Sequence, residues 1–147
     1  MSRAAVDRIR RHAAEAYPFE CCGALLGDSL EVSDVLELPN TTDGEPRRRF
    51  LVAPSDYLGA EREASRRGMQ LLGFYHSHPD HPARPSQYDL DHAWPVFVYV
   101  IVAVEQRVPR EMTAWRLSDT GKEFLRIDID SERGDPPAPF ELETQNG

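Results

Sequence analysis

A chain of 147 residues and 16.7 kDa has the length of one domain and can bury its own core without disulfide or metal staples. Its 40% hydrophobic and 29% charged content is ordinary for a globular protein, while a net charge of −8 argues against nucleic-acid binding, which needs a basic surface to displace phosphate counterions. No apolar run approaches the ~20 residues that span a bilayer, and the N-terminus M-S-R-A-A-V-D-R-I-R-R lacks the apolar core of a secretory signal, so no membrane partner is expected.

From Arg3 to Ala16, Val6, Ile9, Ala13 and Ala16 recur at spacings of three and four, which predicts an amphipathic helix ended by Tyr17-Pro18. The apolar run Cys21 to Leu26, followed by Gly27-Asp28, predicts a buried strand that turns into a second, Glu31 to Leu38. Cys21 and Cys22 are the only cysteines and are neighbours, so no disulfide framework exists and a reducing cytoplasm is the expected location. They read as two small buried residues beside a glycine rather than as a metal or nucleophile pair.

Pro39 to Pro46 is turn chemistry and predicts a surface loop. The stretch R-R-R-F-L-V-A predicts a short strand, with Arg47 to Arg49 as a solvated edge. A helix capped by Ser55 or Asp56 follows, with Tyr57, Leu58, Ala60 and Ala64 as its apolar face and Gly68 as its stop. Gln70 to Tyr75 predicts a central strand, and Ser86 to Ala93 a short helix bounded by Pro85 and Pro95. The run V-F-V-Y-V-I-V-A-V, residues 96 to 104, predicts a strand buried on both faces; Met112 to Leu117 and Glu123 to Ile129 predict two more. The acidic, proline-rich stretch 131–147 is expected to be a flexible tail behind a domain spanning residues 1–130. This order predicts a single-domain α/β fold: a mixed sheet with helices on both faces.

The chemistry concentrates in Met69 to Trp94. His76 and His78 are two apart at the end of a predicted strand, so their side chains share one face while Ser77 points the other way. Asp89, ten intervening residues after His78, can fold back as a third ligand. Two histidines and one carboxylate, with a fourth position left for water, are the ligand set of a catalytic zinc. A metal-bound water needs a base, and Glu20, a charged residue just before a buried strand, is the candidate. Ser86-x-x-Asp89 also fits a helix capping box, a reading that leaves the histidines unexplained. His81, next to proline, reads as a loop residue near the mouth of the site. His92 reads as a surface residue with a possible hydrogen bond to Asp89, and Trp94 and Trp115 as core or rim packing.

Taken together, P-F-E-C-C-G-A-L-L-G, then H-S-H-P, six residues, and S-Q-Y-D resemble the JAMM motif of the MPN-plus, or JAB-domain, metallopeptidases over about residues 3 to 130. The resemblance implies zinc on His76, His78 and Asp89, Glu20 as general acid/base and Ser86 as oxyanion donor. It also implies the JAB/MPN fold, similar to the cytidine deaminase sandwich. Deaminase chemistry itself is not expected, because the Pro-Cys-x-x-Cys ligands are absent.

The compact chain resembles the small prokaryotic members, in particular the sulfur-carrier-protein (CysO-cysteine) peptidases. That implies hydrolysis of an amide or isopeptide bond after the C-terminal glycine of a ubiquitin-like or sulfur carrier protein, whose Gly-Gly tail would add along an exposed strand edge. The alternative is a non-catalytic MPN scaffold. A chain that opens directly on a helix is expected to leave one sheet edge uncovered, as a homodimer contact or a substrate groove.

Overall fold

The computed structural model describes residues 1–29, 31–42, 52–129 and 143–144. Its order is α1 (Arg3–Ala16), β1 (Cys22–Asp28), β2 (Glu31–Leu38), α2 (Pro54–Arg66), β3 (Gln70–Pro79), α3 (Gln87–Asp91), β4 (Val98–Glu105), β5 (Val108–Leu117), β6 (Phe124–Ile127) and β7 (Glu143–Thr144). The strands form one mixed sheet in the order β2-β1-β3-β4-β5-β6-β7. Only β3 and β4 pair in parallel among these, through the crossover that carries α3, and the other neighbours are antiparallel.

Each sheet face has its own core. Ala5, Ile9 and Ala13 of α1 pack with Leu25, Val35, Tyr75, Val100 and Val102 on one face. Ala60 and Ala64 of α2 pack with Ala24, Leu26, Phe74, Tyr99, Ile101 and Trp115 on the other. Strand β4 is buried on both faces from Tyr99 to Val104, as its unbroken apolar run predicts, whereas Val96 is exposed before the strand begins.

The sequence alternates poorly in β2 because Ser33 is an extra residue there: Leu26 pairs with Asp34 and Gly27 with Val32. That bulge resets the phase, so Val32 and Val35, three apart, both reach the α1 face. Two expectations for α2 need correction. Its N-cap is Ala53, with Pro54 as the first helical residue and no side-chain cap, and Leu58 points outward. Trp115 is core, as expected, while Trp94 is half exposed. The strand expected over R-R-R-F-L-V-A falls largely outside the described residues, as does most of the 131–147 tail. No described helix is long and apolar enough to cross a membrane.

Candidate metal centre

Strand β3 extends past the predicted Tyr75 to Pro79 and carries both histidines. Alternation puts Phe74, His76 and His78 on the α2 face, and Tyr75 and Ser77 on the α1 face. The chain then turns away from the sheet at Asp80, which adopts a left-handed conformation at φ 57°. The Asp80 carboxylate accepts from Tyr17 Oη at 2.6 Å and from the Gln106 N–H at 3.0 Å, which ties this turn to the rest of the fold. Farther along, Thr113 Oγ1 donates to the Ala83 carbonyl at 2.7 Å and accepts from Trp115 Nε1 at 2.7 Å. The loop is thereby held down, and α3 arrives over the histidines.

The capping box is real, and it aims the carboxylate of the third candidate ligand. Ser86 Oγ accepts from the Asp89 N–H at 3.1 Å, and the Ser86 N–H donates to Asp89 Oδ2 at 2.8 Å. The carboxylate so held presents Oδ1 to His76 Nε2 at 3.3 Å and Oδ2 to His78 Nε2 at 3.4 Å, with the two Nε2 atoms 3.2 Å apart. Capping and ligation had read as rivals in the sequence. Here the cap holds the carboxylate where it faces both histidines.

These atoms fit a divalent cation. A tetrahedral ion with bonds of about 2.0–2.1 Å sets its ligand atoms roughly 3.3 Å apart. His78 Nδ1 donates to the Pro82 carbonyl at 2.8 Å, which leaves its Nε2 as a lone pair facing the other two donors. Burial lowers the His76 pKa against the opposing pull of Asp89. Burial alone would raise the Asp89 pKa, but His76 and His78 beside it overcome that and hold the carboxyl below its usual range. Two lone pairs and one carboxylate converging in a buried space need a positive charge among them. These are the residues that could hold a metal ion.

Glu20 is 4% exposed and lies close enough to feel the Asp89 carboxylate. Burial first, and that neighbouring charge second, push its carboxyl up to about 9. Cys21 and Cys22 are buried, and burial pushes both thiols up to about 12, which makes them packing residues and not nucleophiles. His81 is exposed, its ring 6.4 Å from that of His78. His92 caps the end of α3, with Nδ1 against the Tyr88 carbonyl at 2.8 Å rather than against Asp89.

The sequence did not single out Ser77 or Asn40, both of which bond the main chain beside Glu20. Their roles depend on register across three strands, and no local spacing reveals it. Nor did it disclose a cavity of about 240 Å³ on the α2 face, lined by Tyr57, Phe74, His92, Trp94 and Tyr99. Phe74 is the next residue before His76 on that face, so the cavity lies alongside the donors.

A buried donor set on a mixed sheet between two helical faces defines a candidate metal centre on the JAB/MPN fold. The model for prokaryotic homologs of the JAB domain matches residues 2–118, and the chain belongs to that family, the small prokaryotic JAMM/MPN peptidases. It is 34% identical to a desampylase of Haloferax volcanii over 84% of this chain and 88% of that one. It is 36% identical to a probable TtuB-protein conjugate cleaving protease of Thermus thermophilus, covering 70% of this chain and 68% of that one. A solved protein from Salinibacter ruber is 42% identical, with a TM-score of 0.66 over 96% of this chain and 95% of that one.

Proposed function

We propose that this protein is a zinc-dependent peptidase that cleaves an amide or isopeptide bond after the C-terminal glycine of a ubiquitin-like or sulfur carrier protein. The observation that carries the reading is the convergence of His76, His78 and Asp89 beside a buried Glu20. Support for the substrate class comes from the names of the relatives, a desampylase and a protease that cleaves protein conjugates. The cytoplasm suits a chain whose two cysteines are reduced neighbours.

His76, His78 and Asp89 would hold the zinc. When bound, it supplies Lewis acidity that lowers the pKa of a ligated water from about 16 to about 7. Glu20 takes the proton of the attacking water and delivers it to the departing nitrogen, without a covalent acyl intermediate. Burial pushes its carboxyl up to about 9 in the metal-free protein, and beside a bound dication it would serve as the carboxylate base. Ser86 Oγ is already fixed by the Asp89 N–H, and its O–H is the donor to the oxyanion. Pro82, through its carbonyl, holds the His78 tautomer. The aromatic cavity takes apolar side chains of an extended tail upstream of the scissile bond.

A scaffold role would leave a buried acid and a buried donor set without a function. The test is to incubate zinc-loaded protein with carrier proteins bearing an added C-terminal residue or an isopeptide-linked partner, following intact mass. Wild type should release the added group. Glu20→Gln should bind zinc and retain only a residual rate on every conjugate, lower by about 10²- to 10⁴-fold. Intact conjugates after treatment with zinc-loaded wild type, or a fully active Glu20→Gln, would overturn the reading.

A further inference from the structure

Strand β1 begins at Cys22, so Glu20 lies just outside the ladder, and the peptide unit that joins it to Cys21 is held by side chains instead. Asn40 Nδ2 donates to the Glu20 carbonyl oxygen at 3.1 Å. The Cys21 N–H donates to Ser77 Oγ at 2.9 Å. That carbonyl and that N–H belong to one planar peptide, so the two bonds grip a single rigid plate from opposite sides of β1. Ser77 is fully buried and also donates its own N–H to the Cys21 carbonyl at 3.1 Å, bonding one residue through both main chain and side chain. Asn40 is oriented in turn, because its Oδ1 accepts the Thr42 N–H at 3.2 Å and its amide nitrogen must face Glu20.

We propose that Asn40 and Ser77 are positioning residues that aim the Glu20 carboxyl at the metal centre by clamping the Glu20–Cys21 peptide. The proposal rests on the role given to Glu20 above. The tilt of that peptide sets the direction in which the Glu20 side chain leaves the backbone. Ser77 sits between the two histidines, so its hydroxyl couples the acid directly to the strand that carries the metal ligands. Asn40 stands just past the end of β2, on the other side of β1, and completes the grip. A displacement of about 1 Å at a reacting group can cost ~10²-fold in rate.

The test uses the full-length, zinc-loaded protein with Ser77→Ala and Asn40→Asp on the conjugate that wild type cleaves. Asn40→Asp keeps the shape and the Thr42 turn but replaces the donor with an acceptor, so it remains informative if Ser77→Ala folds poorly. The expected result is a kcat lower by about 10- to 100-fold, with KM and zinc stoichiometry within about twofold of wild type. Each change should cost nothing further when added to Glu20→Gln, because a mis-aimed residue and a missing one are the same defect. Wild-type kcat in both variants, loss of zinc in step with loss of rate, or losses that multiply with that of Glu20→Gln would each overturn the clamp. An inactive Glu20→Gln beside fully active Ser77→Ala and Asn40→Asp removes the clamp alone. A fully active Glu20→Gln removes the role of Glu20 itself.

Discussion

Ser86 sits where two kinds of chemistry meet, since one hydroxyl both caps α3 and stands at the edge of the donor set. Replacing it with alanine should lower stability by about 1 kcal/mol through the lost cap. The loss of an oxyanion donor should cost more, on the order of 10²- to 10³-fold in kcat at saturating zinc and substrate. Steady-state kinetics with a parallel melting curve separate the two effects. His12 offers a second test, far from the metal on the α1 face. Its Nδ1 lies 2.7 Å from the buried Tyr75 hydroxyl, and burial lowers its pKa against the opposing pull of Glu37 and Glu15. The unfolded chain therefore takes up this proton at a higher pH than the native state does, so the contribution is present above about pH 6.5 and is lost as pH falls from there through the lowered native pKa. Melting of metal-free protein between pH 7.5 and 5 should show a shallower acid loss in His12→Gln than in wild type. An unchanged slope would remove His12 as the source.

At the level of elements, the site depends on how closely β3 and β4 approach. Gly73 pairs with Val98 at the start of their parallel ladder, and a Cβ there would meet the Val98 carbonyl oxygen at 1.8 Å. Gly73→Ala should destabilise by about 3 kcal/mol or more, because backbone and not a flexible side chain must yield. Gly59→Ala, inside α2 with open space around it, should instead stabilise by roughly 0.5–1 kcal/mol. Urea denaturation of the two variants checks both signs. Asp34 of β2 joins the two helical layers at the sheet edge, ion-paired with Arg8 of α1 at 2.8 Å and with Arg67 at the end of α2. The loop before α3 acts as a rigid arm, because Tyr17 and Gln106 hold it at Asp80 and Thr113 holds it at Ala83.

For the whole molecule, a metal that binds only the native donor set adds to folding stability by linkage. At a free zinc concentration 100 times Kd the gain is about 2.7 kcal/mol, which for a domain of this size raises Tm by roughly 5–10 °C. Zinc should raise the melting temperature of wild type, and a chelator should reverse the rise. Asp89→Asn and His76→Ala should melt at the same temperature with and without zinc. A shift retained in both variants would place the ion elsewhere. Because the ligands come from β3 and α3 and the acid from the segment before β1, the site exists only when these parts are assembled.

The sequence alone determined the α1 boundaries, the hairpin of β1 and β2 and the doubly buried β4, and it picked out His76, His78 and Asp89, whose donor atoms the fold brings together. These signals are local: period, turn chemistry and a two-residue spacing that alternation turns into a shared face. It also marked Glu20 as a charge with no packing reason to precede a buried strand. Tertiary structure decided what depends on contacts across strands. The Ser33 bulge resets β2, Ala53 rather than Ser55 or Asp56 begins α2, and the Ser86 capping box orients the carboxylate that it had been weighed against. Ser77 and Asn40 reach the Glu20–Cys21 peptide from 56 and 20 residues away, distances that only sheet register can close.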